Sequence, residues 1–351
     1  MTNTTPERAS QAAAAAATEE RNEGGAGQRH RPLKIQQGAA GARVLGLGSY
    51  RPRRRVTNDE LSRTMDTNDE WIQSRVGIAE RRWAEPDETL IEMAVAAGGK
   101  ALAASGLAPD AVDLVIVASA SLRKPIPGMG PLVAHRLGVT RPGAFDLNAG
   151  CAGFCYALGL AVDSIRAGSA TNALIIGVER LTDVTDLTDR GTAVIFADGA
   201  GAMVIGASDE PGIGPVVWGS DGDQHTAISI PEGLPHMTMA GQAVYRWATT
   251  KLTETLVAAM ERAGVGPRDI DVFAPHQANL RIIESMAKKL GLPESTVIAR
   301  DIVQSGNTSA ASVPLALCAL LESGEAKSGD TALVLGYGAG LTFAGQVLQL
   351  P

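Results

Sequence analysis

Short apolar runs rich in β-branched residues alternate along this chain with longer stretches whose apolar positions recur at helical spacing. The run at 44–48 predicts a strand, and Asn58 predicts a helix N-cap soon after it. A second helix should start at Thr67 or Asn68 and run into an Arg-rich loop. The stretch 89–107 has helical periodicity, and "VDLVIVASAS" at 112–121 reads as a buried strand ending in small polar residues. The alternation continues to the C-terminus, so the pattern predicts an α/β fold with largely buried sheets.

The pattern also repeats. "AVDLVIVASA" at 111 resembles "DIDVFAPHQA" at 269, and "GCAGFCYALGLAVDSIRAG" at 150 aligns without gaps on "GNTSAASVPLALCALLESG" at 306. "NALIIGVE" at 172 resembles "TALVLGYG" at 331, and "DGAGAMVIG" at 198 resembles "YGAGLTFAG" at 337. The order is kept while one connection differs in length, as expected of a duplicated βα unit. We therefore expect an N-terminal half at 41–212 and a C-terminal half at 213–351, with a site at the seam where equivalent loops meet.

Composition narrows the classes. The 351 residues are 45% hydrophobic and 20% charged, with a formal net charge of −7, which argues against a nucleic-acid binder. No run reaches the length of a membrane span. Three cysteines, Cys151, Cys155 and Cys318, contain no CxxC pair, so neither a disulfide framework nor a structural metal site is expected, and a reduced, cytoplasmic setting is the default. Residues 1–40 include "SQAAAAAATEERNEGGAGQRHR", which has no hydrophobic period and no secretory pattern; a disordered tail is expected there.

The chemistry gathers at corners between strands and helices. Cys151 sits between an apolar run and a helical pattern, with Gly150 and Gly153 clearing space. A thiol at a helix N-terminus should ionise more readily, which suits a nucleophile. Cys155 and Cys318 fall inside helical patterns among apolar neighbours and read as inert core residues. His276, in "PHQAN", follows a second-half strand, and Asn307 occupies the corner equivalent to that of Cys151. Together His276 and Asn307 offer two neutral donors for a developing enolate oxygen. Backbone N–H groups of Cys151 and of "GYGAGL", at Ala339, could form an oxyanion hole.

At these residues the chain resembles β-ketoacyl-acyl carrier protein synthase III, the priming condensing enzymes of the thiolase fold, over residues 41–350. The motifs are "AGCAGFCYAL", "PHQANLRII", "GNTSAASVPLAL", "GYGAGLTFAGQ", "TNDEWIQSRVGIAERR" and "LTDRGTAVIFADGAGA". The resemblance implies duplicated βαβαβαββ halves in a five-layer α-β-α-β-α arrangement. It implies that Cys151 takes an acyl primer from acyl-CoA, and that a malonyl group on acyl carrier protein then loses CO₂ while His276 and Asn307 hold the enolate. Attack of that carbanion on the Cys151 thioester would give the β-ketoacyl product, as a first step of fatty acid or polyketide synthesis. No metal or redox cofactor is implied, and a homodimer is.

Further assignments follow by position. Trp71 and Arg190 match the pair that sandwiches the adenine of CoA, and Thr67, Arg75, Gly241 and Gln242 match other CoA contacts. Arg281, Lys288 and Lys289 share one face of a predicted helix and, with Arg246, match the docking patch for the acidic carrier protein. Ile126, Met129 and Phe196 match the acyl pocket. Ile126 matches the residue that reaches across the dimer to close the partner's acyl pocket and replaces the aromatic residue of acetyl-specific members, and Gly128 and Gly130 are expected to remove further bulk, so a short-chain or branched primer larger than acetyl is expected. The segment 221–241 is shorter than the usual CoA-covering loop, and "RPRRRV" resembles actinobacterial aromatic-polyketide starter synthases. Two other readings stand beside this one: an acyltransferase of the same fold that delivers the acyl group to an alcohol or amine, and a non-catalytic partner subunit. Degradative thiolase is disfavoured because the C-terminal Gly loop has no second cysteine.

Overall fold

A computed structural model describes residues 33–35 and 37–351, and Gln37–Pro351 is one compact unit. The expected disorder of the tail lies, for residues 1–32 and 36, outside the described residues. The elements in chain order are β1 (Gly41–Tyr50), β2 (Arg54–Thr57), α1 (Asn58–Ser62), α2 (Asp69–Val76), β3 (Glu80–Trp83), α3 (Leu90–Ser105), β4 (Leu114–Ala118), α4 (Gly130–Arg136), β5 (Gly143–Leu147), α5 (Gly153–Arg166), β6 (Asn172–Arg180) and β7 (Asp198–Ser208). They continue with β8 (Val217–Ser220), β9 (Ile228–Ser229), β10 (Thr238–Met239), α6 (Gly241–Ala263), β11 (Val272–Pro275), α7 (Leu280–Leu290), β12 (Val297–Ile298), α8 (Ile302–Ser305), α9 (Ser312–Ser323), β13 (Thr331–Tyr337) and β14 (Thr342–Gln349).

Side-chain caps set the first helices. Thr57, not Asn58, caps α1: its hydroxyl accepts the Glu60 N–H, while the Asn58 amide turns inward to Asp69 and the Ile78 carbonyl. Asn68 caps α2 by accepting the Trp71 N–H, and Thr89 caps α3 through Glu92 N–H. The strand expected over 112–121 is shorter, Leu114–Ala118, because Ser119 and Ala120 turn away from the ladder to reach the Glu179 carboxylate.

The duplication is visible in strand order. The first sheet runs β1-β7-β6-β4-β5 and the second β8-β14-β13-β11-β12, read from its other edge. Each pairing has the same sense in both: the outer pair β1·β7 or β8·β14 and its neighbour are antiparallel, and the remaining two are parallel. Helix α3 packs outside the first sheet, over Val115, Val117 and Leu174. Helices α5 and α9 lie between the sheets, touching residues of both, such as Ile175 and Val334. Helices α6 and α7 cover the outer face of the second sheet, over Phe273 and Leu333. These are five layers, α-β-α-β-α, of the thiolase fold. Apolar runs as continuous as Ala173–Val178 are what a sheet covered on both faces requires.

The layers approach very closely at Gly177 in β6. A Cβ there would lie 2.3 Å from the Ala310 carbonyl oxygen, a backbone atom that cannot swing aside. Gly177→Ala should therefore push the Ser309–Ala311 turn off the first sheet. We expect a cost of at least about 1–3 kcal/mol, read as a lower denaturant midpoint with an unchanged slope. A wild-type midpoint would contradict this packing.

Candidate active site

Three corners of the fold open into one cavity of about 1030 Å³. The first follows β5. Asn148 Oδ1 accepts the Gly150 N–H at 3.1 Å, and Gly150 takes a left-handed φ of 55°, where a side chain would strike Ala339 N at 2.9 Å. Cys151 comes next, two residues ahead of α5, with its side chain partly accessible from the cavity. Gly338 closes the other side: a Cβ on it would sit 2.8 Å from Cys151 Sγ.

Cys151 has a thiol pushed up to about 11. Burial is the main cause; the Ser309 hydroxyl pulls the value down, the Glu179 carboxylate pushes it up, and the Ala339 and Cys151 N–H groups pull it down. The readily ionised thiol expected from its helix-proximal position is thus not found. The position is the expected one, but desolvation by residues distant in sequence outweighs it. Alkylation of Cys151 by iodoacetamide should keep accelerating as pH rises toward about 11; a plateau already reached at neutral pH would contradict this environment. Cys155 and Cys318 are buried, and burial drives both up to about 12.

The second corner is His276, directly after β11. Its N–H donates to the Leu335 carbonyl at 2.6 Å, and its ring stands edge-on to Tyr337 with centroids 5.1 Å apart. Nδ1 lies 2.6 Å from Ser312 Oγ, which also accepts the Gln277 N–H at 3.3 Å. With that N–H already supplied, the Ser312 hydroxyl has a hydrogen to donate to Nδ1, which leaves Nε2 as the ring's donor. Burial lowers the imidazole to about 3, so the ring is neutral at any working pH.

The third corner is Asn307, held by backbone bonds to both sides: its N–H donates to Ile195 O and its carbonyl accepts the Ala197 N–H, each at 2.9 Å. Its side-chain oxygen accepts the Ser309 N–H at 2.8 Å, so the amide NH₂ is the group left for the cavity. Fully buried Arg81 donates to the carbonyls of Val56 and Val194 and to Asn58, tying β2 and β3 to the segment whose next residue, Ile195, pairs with Asn307.

The other expected residues divide. Ala339, Trp71, Arg75, Gly241, Gln242 and Phe196 line the same cavity, as do Arg246 and Arg281 at its mouth. Arg190 lies over Trp71, its guanidinium carbon 4.8 Å from the ring centroid, and donates to the Asp66 carbonyl; a planar group entering between the two would have to shift this arginine. Thr67 does not line the cavity, and its Oγ1 is buried without a protein partner. Lys288 and Lys289 are exposed at the far end of α7, where Lys289 reaches the Thr249 carbonyl.

The acyl-pocket expectations need two corrections. Met129 does not reach the cavity: it is buried in the outer layer of the first sheet, because the Asp146 carboxylate accepts the N–H groups of Met129 and Gly130 and folds the segment onto β5. Gly128 and Gly130 serve that fold rather than an open pocket, since a Cβ on either would meet Asp146 or the Phe145 backbone within 2.9 Å. Ile126, expected to close a partner's pocket across a dimer, is 89% exposed and does not line its own chain's cavity, which agrees with that expectation without testing it. The apolar wall beside Cys151 is instead Leu181, Val184 and Phe196, backed by Met237 and Met239. Of this wall sequence reasoning reaches only Phe196; it passes over Leu181, Val184, Met237 and Met239, and also over Ser309, Ser312, Tyr337 and Glu179. Of these, Glu179 carries a signal: it is the one charge within the otherwise apolar run 173–179.

The neutral imidazole has a measurable consequence. A histidine held at about 3 when folded and near 6.5 when unfolded adds stability that is complete above the unfolded value and is lost as pH falls through that window. At about pH 4.5 the loss should be about 3 kcal/mol. His276→Asn should escape this loss, so urea midpoints of variant and wild type should converge between neutral and acid pH. A constant difference would show that the ring is not buried neutral.

Comparison with known proteins supplies the remaining context. Residues 145–222 match the family described as 3-oxoacyl-[acyl-carrier-protein] synthase III, and residues 260–350 match its C-terminal counterpart. The chain is 51% identical over 330 residues to a β-ketoacyl-[acyl-carrier-protein] synthase III of Streptomyces glaucescens, covering 91% of this chain and 99% of the relative. It is 49% identical over 330 residues to the mycobacterial β-ketoacyl-[acyl-carrier-protein] synthase III of Mycobacterium avium, covering 91% of this chain and 98% of that one. Among solved structures, the priming β-ketosynthase from the R1128 polyketide biosynthetic pathway superposes with a TM-score of 0.89 at 45% identity, covering 92% of this chain and 99% of that one. The 3-oxoacyl-[acyl-carrier-protein] synthase III of Aquifex aeolicus gives 0.84 at 37%, covering 88% and 100%.

Proposed function

The chain belongs to the β-ketoacyl-[acyl-carrier-protein] synthase III family of priming condensing enzymes, and from that premise we propose how its own residues divide the work. The observation that carries the reading is the convergence of Cys151, His276 and Asn307 from three separate corners on one cavity. In the first half-reaction Cys151 Sγ attacks the carbonyl carbon of an acyl-CoA, and the backbone N–H groups of Cys151 and Ala339 hold the oxyanion. Trp71, Arg75, Arg190, Gly241 and Gln242 contact the CoA. In the second, a malonyl group on acyl carrier protein loses CO₂ while the Nε2–H of His276 and the NH₂ of Asn307 donate to the enolate oxygen. A histidine held neutral at about 3 is a poor base but a good donor, which suits this step. The carbanion then attacks the Cys151 thioester and releases the β-ketoacyl product.

Every step runs through protein groups and the two thioester substrates, with no cofactor. The primer is short-chain or branched, because the wall beside Cys151 is aliphatic and aromatic at Leu181, Val184 and Phe196. The acidic carrier protein docks at the mouth on Arg246 and Arg281, with Lys288 and Lys289 further along α7. The protein works as a homodimer in the cytoplasm. Among the described residues, strand β5 pairs only with β4, and Phe145 on it and nearby Ile126 are exposed, which supports pairing across that edge. The product initiates fatty acid or polyketide synthesis.

Intact-mass measurement after incubation with a panel of acyl-CoAs should add one acyl group to the wild type and none to Cys151→Ala, with branched or short-chain primers loading faster than acetyl. His276→Ala and Asn307→Ala should still load, yet release CO₂ from malonyl carrier protein about 10²-fold more slowly or worse. Loading on Cys151→Ala would sink the assignment of the nucleophile.

A further inference from the structure

The condensation chemistry leaves one buried carboxylate without a role. Glu179, near the end of β6, is fully buried, and its two oxygens bridge turns from the two halves of the chain. Oε2 faces the turn after β4. It accepts the Ser121 hydroxyl at 2.6 Å, the Ser121 N–H at 3.1 Å and the Ser119 hydroxyl at 3.3 Å, and the Ala120 N–H is 3.1 Å from both oxygens. Oε1 faces the turn before α9 and accepts the Ser309 hydroxyl at 2.9 Å and the Ala310 N–H at 3.4 Å. The Ser121 oxygen already accepts the Arg180 N–H, so its hydrogen is committed to Glu179. The N–H groups of Ala120, Ser121 and Ala310 cannot reverse their roles, so both ends of the Glu179 side chain must accept. A carboxylate does this and an amide cannot.

The Oε1 end leads into the active site. Ser309 has a left-handed φ of 48°, a strained conformation for a residue with a side chain, and one that lasts only where its surroundings impose it. Glu179 holds the turn at two successive residues, through the Ser309 hydroxyl and the Ala310 N–H. Strand β6 lies hard against the same turn at Gly177, so the turn cannot relax in that direction. In this pose the Ser309 N–H donates to Asn307 Oδ1 at 2.8 Å. That is the one hydrogen bond to the Asn307 side chain among the described residues. The backbone of Asn307 is fixed separately, by Ile195 and Ala197. What the Ser309 N–H decides is which end of the amide is which: the oxygen turns to Ser309 and the NH₂ is left for the cavity.

We propose that Glu179 is a positioning residue for the condensation half-reaction: by clamping the Ser309 turn it holds the Asn307 amide with its NH₂ toward the enolate oxygen. This rests on the reading that Asn307 is an enolate donor. Glu179 touches no substrate atom and moves no proton. An asparagine amide released from Ser309 can turn over, and its oxygen then meets the developing negative charge with a lone pair instead of a hydrogen. Excluding that pose before the malonyl group arrives is the contribution of the clamp, since a donor fixed in advance needs no reorganisation as charge develops. Acyl loading uses the N–H groups of Cys151 and Ala339 and makes no demand on Asn307, so it is independent of the clamp.

The test is a double-mutant cycle on the full-length chain: wild type, Glu179→Gln, Asn307→Ala, and Glu179→Gln combined with Asn307→Ala. In Glu179→Gln the amide oxygen is drawn to the N–H groups of Ala120 and Ser121, so its NH₂ faces the Ser309 turn and releases it. Two rates are read: single-turnover loading of Cys151 from acyl-CoA, and CO₂ release from malonyl carrier protein by enzyme loaded to completion beforehand. Glu179→Gln should load no more slowly than wild type and release CO₂ about 10-fold more slowly. In the Asn307→Ala background the same substitution should cost nothing further, because the group it positions is gone. A carboxylate that merely staples the two halves would slow both rates together, or cost the same factor in either background, and each of those results overturns the proposal. So does CO₂ release at the wild-type rate in Glu179→Gln. Should Glu179→Gln fail to fold, Ser309→Ala, which removes only the hydroxyl link, takes its place in the CO₂-release cycle with the same expectation. If Asn307→Ala released CO₂ like the wild type, the enolate assignment of Asn307 would be wrong, and the crystal structure of Glu179→Gln would still decide the clamp. An Asn307 amide turned away from Ser309 supports it, and an unmoved one overturns it.

Discussion

Exclusion of water from the meeting point of two sheets governs the chemistry of this protein. The same burial that gives the interior its stability decides the protonation of each polar group placed there. It keeps the Cys151 thiol protonated and the His276 ring neutral, and it pushes the Glu179 carboxyl upward against the pull of its many donors. A polar group in such a place depends on donors and acceptors that already point at it.

The duplication explains how such a place is built. Equivalent turns of the two halves carry Cys151 and Asn307, so the symmetric scaffold brings them face to face, and the chemistry comes from what differs between the copies. Glu179 in β6 corresponds to Gly338 after β13. One copy thus supplies a buried acid, while the other supplies a residue without a side chain, against which the Cys151 sulfur can lie. The cavity wall is shared as well: Asn307 pairs by backbone with Ile195 and Ala197 of the first half.

Much of this is legible in the linear pattern, for physical reasons. Strands covered on both faces read as unbroken apolar runs, so β4, β6 and β13 stand out, and self-similarity exposes the repeat. Corner residues such as Cys151, His276 and Asn307 stand out because glycine and proline punctuate the turns around them. The illegible features depend on contacts between residues far apart in the chain. The basicity of the thiol follows from burial and from Glu179, which is far from Cys151 in sequence. Met129 escapes the sequence pattern because Asp146, on the next strand, draws its backbone onto the first sheet. The ambiguity between Thr57 and Asn58 is of another kind: both residues make good caps, and only the inward pull of Asp69 and the Ile78 carbonyl on Asn58 separates them.

Helices α5 and α9 carry a consequence for biosynthesis. They form the central layer, and most of α9, from Ser312 to Cys318, is buried on every side. When the ribosome has released only the first half, β1, β4, β6 and β7 have α5 over part of one face and nothing where α9 will lie. The nascent chain must carry that greasy, uncovered face until the last hundred or so residues emerge. Chaperone demand during translation should therefore peak just before α9 leaves the exit tunnel, and neither half can be expected to survive as an independent product of gene fission.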